Sequence, residues 1–91
     1  MWETVDPDGQ RVVLTETVWE HITRDHTDLD LHALDVLGIV RVPDISMPGR
    51  FEDEIWFYAR GVGPSRWLKV VVHYEAGEGR IVTAFARRAM P

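Results

Sequence analysis

Three stretches in the second half of the chain decide the fold: EIWFYAR at 54–60, RWLKVVVHY at 66–74 and RIVTAFAR at 80–87. Each is dense in aromatic and β-branched residues and is read with a period of two, the pattern of a strand. Gly61-Val62-Gly63-Pro64-Ser65 and Glu75-Ala76-Gly77-Glu78-Gly79 separate them at hairpin lengths. The prediction is three consecutive antiparallel strands, a meander. Alternation sorts the side chains into two faces. Ile55, Phe57 and Ala59, with Leu68, Val70 and Val72, make an apolar face fit to receive helices. Trp56, Tyr58 and Arg60, with Trp67, Lys69, Val71 and His73, make the opposite one. Ile81, Thr83, Phe85 and Arg87 share a face of the third strand, whose direction depends on register. If they join the second group, cations, a hydroxyl and aromatic rings line one exposed sheet surface.

Upstream the period changes. Trp2–Val5 and Arg11–Leu14 flank Asp6-Pro7-Asp8-Gly9, with Pro placed for a type I turn and Gly for positive φ, which predicts a hairpin. Thr15 or Thr17 opens a helix over 16–26, and Thr17 with Glu20 fits a capping box. Val18, Trp19 and Ile22 form its apolar stripe, His26 falls within that stripe and His21 at its edge. Thr27-Asp28-Leu29-Asp30 reads as a second cap, followed by a stripe of Leu31, Leu34, Leu37 and Gly38. Pro43 and Pro48 bracket a loop that no helix crosses. The fold class expected is α+β: an N-terminal hairpin and two helices packed on a curved antiparallel sheet that ends in the meander. Ninety-one residues make a single domain, 1–91, with one modest core.

With no cysteine, neither disulfides nor thiolate metal sites are available. No apolar run approaches a membrane span, and no secretory h-region follows Met1, so a cytoplasmic location is expected. Net charge is −5, which argues against general nucleic-acid binding, yet it is unevenly spread. Residues 1–59 hold 13 acids and 4 Arg, whereas residues 60–91 hold 6 Lys or Arg and 2 Glu. The second half is therefore a candidate anion-facing side, although a mixed solvated surface gives the same split.

A zinc helix needs two His four residues apart. His21 and His26 are five apart, so no metal is expected. No nucleophile elbow occurs, and the Gly-x-Gly pairs at 61–63 and 77–79 precede no helix that could receive a phosphate. General acid–base chemistry is better supplied, because histidine transfers protons near neutral pH and Arg or Lys stabilises developing phosphorane charge. Thr83 can hold a phosphate oxygen, and Trp or Tyr rings can stack on unpaired bases. Each residue also has a plainer role. His26 can be a satisfied core histidine, His21 with Asp25 a surface pair, Lys69 and Thr83 ordinary strand residues, Arg87 and Arg88 a solvated tail, and Trp56 and Trp67 a packing pair.

Trp19-Glu20-His21-Ile22 followed by His26, then Pro43-Asp44, Trp56-Phe57-Tyr58-x-Arg60, Leu68-Lys69-Val70-Val71-Val72 and Ile81-Val82-Thr83-Ala84-Phe85, come in an order that resembles a known family. It is similar to the barnase–EndoU–colicin E5/D–RelE-like nucleases, which include toxins and phage-associated ribonucleases, and it covers about Val12 to Phe85. The relatives usually have Pro after the second histidine, where this chain has Thr27. The resemblance implies two helices on a curved sheet with the active site on the sheet's open face. It implies metal-independent RNA cleavage by 2′-hydroxyl attack, with no cofactor. Catalytic candidates carried over are His21, His26, Arg60, Lys69 and Thr83; Trp56, Tyr58, Trp67, Phe85 and Arg87 are the candidates for substrate binding. RNA is the implied substrate and an antitoxin or immunity protein the implied partner. A non-catalytic protein- or RNA-binding module on the same scaffold is the alternative.

Overall fold

The computed structural model describes residues 1–25, 32–61 and 67–88. Strands β1 (Trp2–Val5) and β2 (Arg11–Leu14) form the expected hairpin, in register from Trp2 opposite Leu14 to Val5 opposite Arg11. Two features hold its turn. Gly9 adopts a positive φ of 85°. The Asp6 carboxylate accepts the N–H groups of Asp8 at 2.9 Å and Gln10 at 2.8 Å, as an Asx turn does.

Helix α1 spans Glu16–Asp25. Thr15 caps it, its Oγ1 accepting the Val18 N–H at 3.2 Å. Thr17 and Glu20 therefore lie inside the helix and form no capping box. Helix α2 spans Ala33–Arg41, and the Asp35 carboxylate accepts the His32 N–H at its start at 2.9 Å. His26, Leu31 and the expected cap at Thr27–Asp30 lie outside the described residues. Among the described residues no helix is long and apolar enough to cross a membrane.

The chain then enters β3 (Ile45–Pro48), β4 (Glu54–Arg60), β5 (Trp67–Glu75) and β6 (Glu78–Arg87). Strand β3 corrects the loop expected between the prolines. It is a short edge strand, where Pro48 breaks no ladder on its outer side. The sheet runs β1-β2-β6-β5-β4-β3. Strands β3 to β6 pair antiparallel in sequence order, whereas β2 lies parallel to β6 at Val12–Gly79 and Val13–Arg80, so the whole sheet is mixed.

The apolar face is as expected. Phe57, Ala59, Leu68, Val70 and Val72 join Ile22 of α1 and Val36, Leu37, Ile39 and Val40 of α2 in one core, with Val18, Trp19 and Ile55 packed against it. Leu34 departs from the expected helical stripe and is 70% exposed. A β-bulge at Val82 governs the opposite face. Ile81 pairs with Val72 and Thr83 with Val71, so Ile81 turns into the core while Thr83, Phe85 and Arg87 point the other way.

Candidate functional site

The face away from the helices is an ordered lattice of side chains, set by strand register. In one row Arg60, Trp67 and Arg87 lie abreast on β4, β5 and β6. The next row is Ile45, Tyr58, Lys69 and Phe85, and the third is Met47, Trp56, Val71 and Thr83. Glu54, His73 and Arg80 close the lattice at the far end. Of the sequence candidates among the described residues, all but His21 therefore share one sheet face. Trp56 and Trp67 are not cross-strand partners, since Val71 and Arg60 stand opposite them.

This face is less open than alternation implies. Tyr58 is fully buried and Lys69 is 5% exposed. The Lys69 ammonium sits 3.3 Å from the centroid of the Trp56 ring, 5.4 Å from Phe85 and 5.8 Å from Tyr58. Such a cage stabilises a cation through the negative faces of the rings. No carboxylate forms an ion pair with Lys69 among the described residues. Burial pulls its pKa below the ordinary lysine value, Arg87 pushes in the same direction and Glu54 opposes them. Burial raises the Tyr58 pKa, while the Arg87 charge offsets part of that rise. Arg87 thus acts on both groups, and the three form one electrostatic unit.

Trp56 is held from behind. Its indole N–H donates to Glu54 Oε1 at 2.6 Å, and that oxygen also accepts the Arg50 N–H at 3.1 Å. A carboxylate on the indole N–H makes the ring richer in electrons and improves it as a partner for an ammonium. Gly49 makes room for this arrangement, since a Cβ there would stand 2.6 Å from Glu54 Oε1 and 2.8 Å from Trp56 Nε1. At the other end the Arg60 guanidinium lies 5.9 Å over the Trp67 ring.

His21 stands apart from this cluster. It is exposed on α1, whose apolar residues pack on the opposite face of the sheet, so the sheet lies between His21 and Lys69. Its Nδ1 accepts from Arg24 Nη2 at 2.8 Å, and Arg24 rather than His21 meets Asp25, at 3.6 Å. His26, the other histidine candidate, is outside the described residues. The histidine that does lie on the candidate face is His73, with Glu54 across the strand pair. Strand alternation places His73 there. Glu54, two residues before Trp56, carries the same signal, although the sequence reading of that face starts only at Trp56.

A hollow of about 400 Å³ lies elsewhere. It lies on the helix side of the sheet edge, between the β1–β2 turn and Ile55, Phe57 and Tyr74. Asp6 at its rim is consumed by structure, because it holds its own turn and accepts the Tyr74 hydroxyl at 2.7 Å. Comparison of the chain with known protein families, curated proteins and solved structures finds no match.

Proposed function

We propose that this domain acts on RNA, holding single-stranded backbone across the face that carries Arg60, Lys69 and Arg87 and cleaving it without a metal. The observation that carries the reading is the register itself. It sets three cations and Thr83 among Trp56, Tyr58, Trp67 and Phe85 on one face. That combination tracks a phosphate backbone while the half-buried rings of Trp56, Trp67 and Phe85 stack its bases. The sequence resemblance to metal-independent ribonucleases supplies the reaction. The 2′-oxygen attacks the adjacent phosphorus, the bond to the 5′-oxygen breaks, and the 5′-oxygen leaves with a proton that water supplies. Arg60 and Arg87 neutralise the charge that develops on the phosphorus oxygens. The Lys69 ammonium adds its charge to theirs, and water takes the proton of the 2′-hydroxyl. An RNA substrate and a chain without cysteine fit a cytoplasmic site of action, and an antitoxin or immunity protein would act by covering this face.

The test is incubation of pure protein with single-stranded RNA, with and without chelator. Cleavage is expected in both conditions, with a loss of roughly a hundredfold or more in Lys69→Met and in Arg87→Ala. A wild type that leaves RNA intact, or variants that cut as well as it does, would overturn cleavage. A second reading, binding without turnover, is favoured by the position of His21 across the sheet. It predicts saturable RNA binding that Trp56→Ala weakens, with no product at any time.

A further inference from the structure

The Tyr58 hydroxyl is a buried donor that meets no acceptor among the described residues. Buried hydroxyls are ordinarily bonded, and one that is not marks a place where a partner is missing. Its neighbour across the strand pair is Lys69, whose ammonium is enclosed by rings and has no ion pair among the described residues. Arg87, from β6, adds a second positive group. Two adjacent donors beside a further cation lack the same thing, an oxygen that carries negative charge.

We infer that Tyr58 and Lys69 together form a recessed subsite for an oxyanion of the phosphate class, with the Tyr58 hydroxyl as hydrogen-bond donor rather than stacking platform. The inference rests on the reading that this face takes RNA, and it assigns the phosphate to one place on that face. Trp56 is the fixed wall from which Lys69 departs. It is half-buried, it touches the ammonium directly, and its indole is anchored on β4 by the side-chain hydrogen bond to Glu54. When an anion enters, Lys69 turns from the ring to the anion and the Trp56 indole is freed for a base. The cage is in this sense the unliganded state of the subsite.

Tyr58→Phe removes the hydroxyl and nothing else. Thermal unfolding is followed in sodium phosphate and in sodium chloride of equal ionic strength, for wild type, Tyr58→Phe and Lys69→Met. The wild type is expected to gain roughly 5–10 °C when phosphate reaches about ten times its dissociation constant. Tyr58→Phe is expected to melt higher than wild type in chloride, because an unbonded buried group is gone, and to gain nothing from phosphate. Lys69→Met is expected to be flat in phosphate as well. Phosphate is also expected to change tryptophan emission in wild type but not in Trp56→Phe. An equal gain from phosphate in wild type and Tyr58→Phe, or no gain in wild type, overturns the inference.

A short single-stranded RNA in place of phosphate separates the two sources of the anion. If the RNA backbone fills the subsite, Tyr58→Phe weakens RNA binding roughly tenfold or more. If Tyr58 matters for phosphate and not for RNA, the subsite stands and the RNA reading falls. If RNA is cut equally well by wild type and Tyr58→Phe and phosphate acts equally on both, the RNA reading stands and the subsite falls.

Discussion

The two faces of the sheet bury their side chains by different means. On the helix side Phe57, Leu68, Val70, Val72 and Ala84 pack on apolar helix residues, and the polar group at the margin is satisfied, the Tyr74 hydroxyl donating to Asp6 at 2.7 Å. On the other side Tyr58 and Lys69 are as well hidden, yet among the described residues the Tyr58 hydroxyl finds no acceptor and the Lys69 ammonium meets rings in place of a carboxylate. Leaving a buried donor unpaired costs about 1–3 kcal/mol, a large share of the stability of a domain this size. Packing accounts for the first face. It does not account for the second, where phenylalanine and methionine would fill the same space at lower cost, so the polar atoms there point to a ligand.

The contrast can be broken first where the effect is largest. Leu68 and Lys69 are adjacent in sequence and point to opposite faces, and Leu68 is fully buried against the helices. Leu68→Ala is expected to cost about 3 kcal/mol in urea unfolding, through lost burial and the cavity left behind. A cost below about 1 kcal/mol would mean that the helices do not depend on this face as a single core.

The two tyrosines sharpen the same contrast. Tyr74→Phe is expected to cost about 1–2 kcal/mol. It strips Asp6 of a partner in a half-buried site, whereas Tyr58→Phe removes an unbonded hydroxyl and stabilises. Burial and the bond to Asp6 raise the Tyr74 pKa above its ordinary 10.0. The native state therefore keeps this proton at a pH where the unfolded chain has lost it. The contribution is complete below the ordinary value of 10.0 and fades as pH rises toward the folded one. The difference in stability between wild type and Tyr74→Phe is accordingly expected to narrow above that pH. Urea midpoints measured across the range check it, and a constant difference would show that the raised pKa is not a property of the folded state.

What can be read in the sequence follows from where local pattern decides. Period-two alternation in Glu54–Arg60 and Trp67–Tyr74 is sufficient to assign Phe57, Leu68 and Val70 to the core, because one buried apolar face specifies itself. Asp6-Pro7-Asp8-Gly9 specifies the first hairpin through turn chemistry alone. The bulge at Val82 is hidden, since an extra residue leaves no mark on composition, and it is what sends Ile81 and Thr83 to opposite faces. The parallel pairing of β2 with β6 is a long-range contact that no local signal carries. Strand β3 is masked by its flanking prolines, which an edge strand tolerates. For the site, alternation gathers the right residues, but it makes Lys69 and Tyr58 look exposed. Only the register shows that the rings of Trp56, Tyr58 and Phe85 gather round the Lys69 ammonium. A helical wheel likewise locates His21 on α1 without saying which face of the sheet α1 occupies.

The smallest expected effect lies in the turn that sets this register. Glu75 pairs with Glu78 across two central residues. Ala76 has a positive φ of 54° and Gly77 one of 78°. Both thus adopt the left-handed region required by a type I′ hairpin. Alanine is poorly suited there, because its Cβ approaches the following carbonyl, and asparagine followed by glycine is the preferred pair. Ala76→Asn is expected to stabilise the domain by about 0.5–1 kcal/mol, read as a higher urea midpoint at unchanged slope. The turn is far along β5 from Lys69, and the bulge at Val82 lies between the turn and Thr83, Phe85 and Arg87. The gain is therefore expected without any change in the response to phosphate. A variant that gains stability and loses that response would show that strain at Ala76 reaches through the bulge to the face carrying Lys69, and the two faces could then no longer be treated as independent.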